Sequence, residues 1–118
     1  MRTFLQFISL IILLVVVSPL IGQNFSIVPE VASASVHPST WEEPAYSVVI
    51  NNSGTTTDYV WEREIVSITP EWNIAVCDKN LCHDWVVDTE EFTMMPGEEG
   101  TMDVHAYPMS TAGYAVVL

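Results

Sequence analysis

The sequence predicts an all-β protein, an antiparallel β-sandwich of about seven short strands behind an N-terminal signal peptide. Three observations carry this. After the first two dozen residues no stretch repeats with helical period. Short runs of Val, Ile, Tyr, Trp and Thr alternate instead with Pro, Gly, Asn and Asp turns, at intervals of roughly ten residues. Finally, Trp72 to His83 (W-N-I-A-V-C-D-K-N-L-C-H) reads as a strand, a tight acidic turn and the start of a second strand. Cys77 and Cys82 face each other across that turn.

The leader comes first. Met1-Arg2 gives a positive start, Phe4 to Val17 is almost unbroken apolar sequence, Ser18-Pro19 breaks it, and Leu20-Ile21-Gly22 leads into polar Gln23-Asn24. These are the three regions of a secretory signal peptide. A spanning helix needs ~20 apolar residues, and Pro19 stands where such a helix would continue. Cleavage is expected after Gly22, which makes 1–22 the signal peptide and 23–118 the domain, although Leu20 is larger than that site prefers. The alternative is an uncleaved anchor. No Cys follows the apolar run, so a lipoprotein anchor is not expected.

Composition then excludes partners. The chain carries 15 Asp and Glu against 3 Lys and Arg, a formal net charge of −12. Without the leader, Arg63 and Lys79 are the strong cations that remain. Binding nucleic acid requires neutralising phosphates with Lys and Arg, so no nucleic acid is expected, and an anionic membrane surface is disfavoured likewise. An even cysteine count in an exported chain points to a Cys77–Cys82 disulfide.

The elements follow in order. Asn24 to His37 is expected to supply an edge strand, with Ala32 to Val36 alternating weakly and Pro29 at or before the edge. His37 to Thr40 and Glu42 to Pro44 read as turns. Tyr46 to Ile50 reads as a buried strand, ended by the turn chemistry of Asn51 to Gly54. Thr57 to Ile68 is the longest strand. Tyr59, Trp61 and Ile65 share a face with Arg63 as the exception, so a bulge or twist is expected near Arg63-Glu64. Trp72, Ile74 and Val76 take one face of the next strand, Asn73, Ala75 and Cys77 the other. Trp85 to Val87 reads as a short strand, Asp88 to Glu91 as an acidic loop, and Phe92 to Met95 as a strand stopped by the type II turn signal Pro96-Gly97. Thr101 to Tyr107 alternates with Met102, Val104 and Ala106 inward. Pro108 to Gly113 is a loop and Tyr114 to Leu118 a last strand. That run has no polar exit, so the domain is read as truncated or continued at its C-terminus.

Trp61-Glu62-Arg63, W-x4-C-x4-C from Trp72 to Cys82, Pro96-Gly97-Glu98 with Gly100, Asp103-Val104-His105 and Gly113 together resemble an Ig-like module. Such modules occur in secreted proteins of Bacteroidota-type bacteria, often upstream of a C-terminal sorting domain. The resemblance spans about Tyr46 to Leu118. It implies an Ig-like antiparallel β-sandwich in an exported setting and no catalytic residue. The sorting domain and its acidic linker are not seen here. The cysteines also depart from antibody domains, where the disulfide joins two sheets, whereas Cys77 and Cys82 can staple only one hairpin.

Several chemistries compete for these residues. Cys77, Cys82 and His83 with His105 would make a Cys2His2 metal set, but the spacing is wrong for a zinc knuckle and the exported setting favours the disulfide. Copper donors exist in His105, Met94, Met95, Met102 and Met109. Met94 and Met95 point to opposite faces, however, and the last loop lacks the Cys that a copper site there requires. Asp84, Asp88, Glu90 and Glu91, or Glu98 and Glu99, lack the spacing of a calcium loop. No metal and no cofactor is therefore expected. Of the tryptophans 41, 61, 72 and 85, Trp72 belongs by alternation with the core. Trp41, in a loop beside Glu42-Glu43, is the candidate for an exposed aromatic that stacks on a sugar ring.

The function expected is a non-catalytic structural or protein-interaction module, secreted, periplasmic or at the cell surface, with no stable membrane span after signal cleavage. The alternative is a carbohydrate-binding or metal-binding module. An exposed aromatic pair favours sugar, and an open sheet edge with a blank groove favours protein.

Overall fold

Nine antiparallel strands, in a computed structural model that describes residues 24–118, place one half of each alternating run against a shared core. The leader expected over Met1–Gly22 lies outside the described residues. β1 (Phe25–Val28), β2 (Glu43–Ala45), β3 (Val48–Asn51), β6 (Asn73–Asp78) and β8 (Glu99–Tyr107) form one sheet. β4 (Thr57–Glu62) pairs with β7 (Thr89–Met94), and β5 (Ile65–Ile68) with β9 (Ala115–Val117). Among the described residues no helix is long and apolar enough to cross a membrane.

β8 is the spine of the large sheet. β6 lies on one edge in the register Val76↔Val104, and β2 lies on the other, Ala45↔Val104. β3 continues the β2 edge along Glu99 to Thr101, and β1 pairs outside β3. Between β2 and β3 the chain kinks at Tyr46-Ser47. Buried Asp103 fills the kink by accepting the Ser47 amide at 2.8 Å, and Met102 N–H donates to Ser47 O at 3.0 Å. A carboxylate in the Asp103-Val104-His105 stretch is thus used to close a break in the ladder.

The core joins this sheet to the β4–β7 pair. Val49 and Val76 from the sheet pack with Trp61, Phe92 and Met94, each 6 % exposed or less. Complete burial of side chains of this size stabilises by about 1.5–3 kcal/mol each. Asn51, wholly buried at the end of β3, knits the layers. Its side-chain amide donates to Thr55 O, Met94 O and Met95 O at 2.8–3.1 Å, and its Oδ1 accepts from Ser53 and the Tyr59 hydroxyl. A cavity of about 400 Å³ lies elsewhere, between Ala45, Ile74 and Val104 on the sheet and Ala115 and Val117 of β9.

The expected long strand is broken where the odd residue stood. Arg63 N–H donates to Asp88 O at 2.7 Å and Glu64 N–H to Leu118 O at 2.8 Å, so β4 and β5 leave the break with different partners. The Pro96-Gly97 turn forms as expected, with Gly97 at φ 72° and Glu98 N–H closing onto Met95 O at 3.0 Å. At this position a side chain on a left-handed backbone would be strained.

Four expectations are corrected. Trp85–Val87 is a turn and no strand: Val87 N–H donates to Asp84 O at 3.0 Å and Val86 N–H to the Asp84 carboxylate at 3.3 Å. An Asp that offers its side chain to the following amides outcompetes β-propensity. In consequence only an isolated bridge, Cys77↔Cys82, follows the cysteine turn. Glu43–Ala45 is a strand and no turn, because an edge position tolerates the missing N–H of Pro44. β7 begins at Thr89, inside the expected acidic loop: Glu91 takes the solvated face, and Glu90, on the face of Phe92 and Met94, is exposed near the strand's start. The first strand is Phe25–Val28, ahead of Pro29, and Ala32 to Val36 form no strand but line the cavity.

Candidate functional site

The outward face of the large sheet gathers the chemistry. Alternation along β8 points His105 and Tyr107 away from the core, and their partners across β6 are Ala75 and Asn73. Ala75 is 2 % exposed, so the sheet surface beside His105 is covered by the groups that gather over it. The loop before β2 brings Trp41 and Glu42 over the same face, and the Asp84 turn brings Trp85.

Three aromatic rings meet there. Trp41 and Tyr107 lie edge to face with centroids 6.2 Å apart, and Trp85 meets Tyr107 in the same way at 5.9 Å. Trp41 is 71 % exposed and Trp85 is 44 % exposed. Trp41 therefore stands in the open as expected. Trp85 was missed because it was placed on a strand; its position after Asp84, whose side chain makes the turn, is the signal that would have found it.

Glu42 is the polar centre of the group. Its Oε1 accepts the Tyr107 hydroxyl at 3.0 Å and a hydrogen bond from Nδ1 of His105. Burial, then the hydrogen bond to Glu42 and its negative charge, push the Tyr107 phenol above its ordinary pKa of 10.0, so it remains a donor. Among the described residues no donor reaches Oε2 of Glu42.

Cys77 and Cys82 are joined by a disulfide in the same sheet region. The Cys2His2 set envisaged from sequence does not assemble. His83 donates from Nε2 to the Asp78 carboxylate at 2.7 Å and packs edge to face on Trp61 at 5.3 Å, on the core side. Cys77 and Asp78 are neighbours in a strand and point to opposite faces, and His83 follows Asp78. His105, by contrast, lies beside the sulfurs: one of its ring nitrogens and both Sγ atoms are within 4.8 Å of one another.

Arg63 supports the site from behind. Its side chain, 4 % exposed, donates to Ile74 O, to Trp85 O at 3.1 Å and to Asp88 Oδ1. One guanidinium thereby covers the outer edge of β6 and holds the loop that carries Trp85. Of the acidic clusters considered for calcium, Asp88 is engaged by Arg63, and Glu98 by Lys79 at 2.7 Å and the Met95 amide at 2.7 Å. Those two contacts hold the Glu98 carboxyl below its ordinary 4.5. The remaining predicted donors scatter: Met94 is fully buried in the core, and Met95 and Met109 are exposed elsewhere.

Comparison of the chain with protein-family models, with curated proteins and with solved structures gives no significant match.

Proposed function

We propose that this chain is a non-catalytic interaction module that works outside the cytoplasm, and that its ligand is a carbohydrate. The observation that carries the reading is the exposed pair Trp41 and Trp85, both edge to face with Tyr107, whose hydroxyl donates to the half-buried Glu42 carboxylate. Indole faces stack on the apolar C–H faces of a sugar ring, and a carboxylate oxygen without a protein donor accepts its hydroxyls. The negative charge of the chain favours a neutral or amino sugar over an acidic one. Glu42 acts as a positioned acceptor and no catalytic role is assigned to it. The Ig-like kinship and the export route belong to the same proposal. The disulfide supports it, since such bonds persist in oxidising compartments.

The test is affinity electrophoresis in gels that contain neutral polysaccharides (β-glucan, xylan, mannan) or soluble chitosan, with the wild type, Trp41→Ala, Trp85→Ala and, as control, Val31→Ala. At least one polymer should retard the wild type and the control. Each tryptophan variant should weaken that binding about tenfold or more, the scale of truncating an aromatic anchor. Retardation by none of the polymers, or retardation equal in all four proteins, would overturn the reading.

A further inference from the structure

We propose that Cys77, Cys82 and His105 are a latent metal site, closed while the disulfide is intact and opened by reduction to bind a thiophilic closed-shell cation, Cu(I) or Zn(II). The two sulfurs and one ring nitrogen already lie within 4.8 Å of one another. They come from three stretches of chain that the scaffold fixes separately. Cys77 stands on β6, opposite Asp103, while His105 stands two residues further along β8 on the same face. Cys82 is carried back to Cys77 by a turn that has hydrogen bonds of its own beside the sulfur bond. In that turn Asp78 N–H donates to Leu81 O at 3.0 Å, and His83 N–H donates to Val76 O at 2.9 Å.

His105 is prepared for ligation. Glu42 engages Nδ1, which leaves Nε2 as the free ring nitrogen. A carboxylate on the remote nitrogen is the arrangement that fixes tautomer and ring orientation in metal-bound histidines and raises the basicity of the ligating nitrogen. Two thiolates and an imidazole satisfy a three-coordinate Cu(I), or three positions of a tetrahedral Zn(II) with solvent in the fourth.

The chemistry of opening also fits the burial. Cys82 is exposed and Cys77 is 2 % exposed. A thiolate from an external dithiol attacks the Cys82 sulfur, the S–S bond breaks and Cys77 leaves as a thiolate. The second thiol of the reductant then displaces Cys82 and carries off the disulfide. Two electrons and two protons have passed to the protein, and the cation releases those two protons when it binds. The proposal is independent of the carbohydrate reading, although Glu42 serves both.

The test uses protein residues 23–118 reduced by dithiothreitol and desalted under anaerobic conditions, with circular dichroism to establish that it is folded. Cu(I) is titrated in competition with a chromogenic chelator, and Co(II) serves as the spectroscopic stand-in for Zn(II). One equivalent per chain should bind to the reduced protein and none to the oxidised protein, and Co(II) should show sulfur-to-metal charge-transfer absorption. His105→Ala should weaken binding at least tenfold. Glu42→Gln should weaken it by about 10–100-fold, the range for a partner on the remote nitrogen. His37→Ala and Val31→Ala, both away from the site, should leave it unchanged. Loss of the fold on reduction would overturn the proposal, as would binding of neither cation or affinity that His105→Ala does not alter.

Discussion

The indole N–H of Trp61 donates to Asp78 Oδ2 at 3.0 Å, and both residues are buried. The carboxylate that anchors the core tryptophan is therefore also the one that shapes the disulfide turn. Its other oxygen accepts the amides of Asn80 at 2.8 Å and Leu81 at 3.3 Å, and His83 reaches Oδ2 at 2.7 Å. Core, turn and disulfide meet on one side chain. A loss at Asp78 is felt in all three.

The pH dependence of stability follows from this. Burial alone would raise the Asp78 pKa, but the hydrogen bonds from Trp61, Asn80, His83 and Leu81 outweigh it and hold the carboxyl below its ordinary 3.8. A carboxyl depressed in the folded state contributes stability that is present in full above its unfolded pKa, about 3.9. That contribution is lost as pH falls through the lower folded value. Urea denaturation should show stability flat with respect to Asp78 at neutral pH and declining below about pH 4. Asp78→Asn should cost about 3 kcal/mol at pH 7, since its NH2 cannot accept from these donors. It should also flatten the acid decline; an undiminished decline in the variant would assign it to other carboxylates.

Arg63 is the buried cation on which the site leans. Replacing it by Met leaves Ile74 O without its donor and frees the Trp85 loop. The expected cost is about 2–3 kcal/mol by urea denaturation, and Trp85 fluorescence should red-shift as the loop opens. Arg63→Lys should recover little, because one ammonium cannot reach Ile74 O, Trp85 O and Asp88 together. Full recovery by Lys would mean that charge alone matters there.

How legible these features were depended on which physical rule governed each residue. Alternation placed Ile74, Val76, Met102 and Val104 on one face correctly, because period-2 orientation is a property of the strand itself, but it did not show that β6 is buried on both faces. Pro96-Gly97 was readable because the left-handed backbone at Gly97 demands glycine. Arg63 was visible as an anomaly, since it stands on the Tyr59 and Trp61 face, but its three partners lie 11, 22 and 25 residues away and no local pattern names them. Trp85 was hidden by β-propensity that the Asp84 side chain overrides. Pairing His105, not His83, with the cysteines required the register of β6 on β8, which sequence spacing does not contain.

Gly113 is needed for space. A Cβ there would lie 1.9 Å from Thr69 Oγ1 and 2.7 Å from Thr69 Cγ2. The same Oγ1 accepts the Tyr114 amide at 3.0 Å, so Thr69 cannot swing away without releasing the start of β9. Gly113→Ala should cost about 1–3 kcal/mol, as overpacking does. Thr69→Gly makes room, since it also removes the Thr69 Cβ that lies 2.5 Å from the same point, so the double variant should be less destabilised than the sum of the singles. Strict additivity in thermal or urea denaturation would show that the two residues do not collide.

The disulfide should be a modest staple. Its loop is short, and chain entropy predicts about 2 kcal/mol from closing it. The turn has other ties: the Asp78 hydrogen bonds, and Lys79, whose ammonium donates to Thr93 O and to Glu98 Oε1, both at 2.7 Å. Reduced protein, which keeps both sulfurs and so creates no void, should unfold cooperatively in urea with stability lowered by about 2 kcal/mol. Its circular dichroism in water should match that of the oxidised form. A reduced chain that no longer folds would mean that Asp78 and Lys79 do not shape the turn unaided, and that the sulfur bond comes first in the order of assembly.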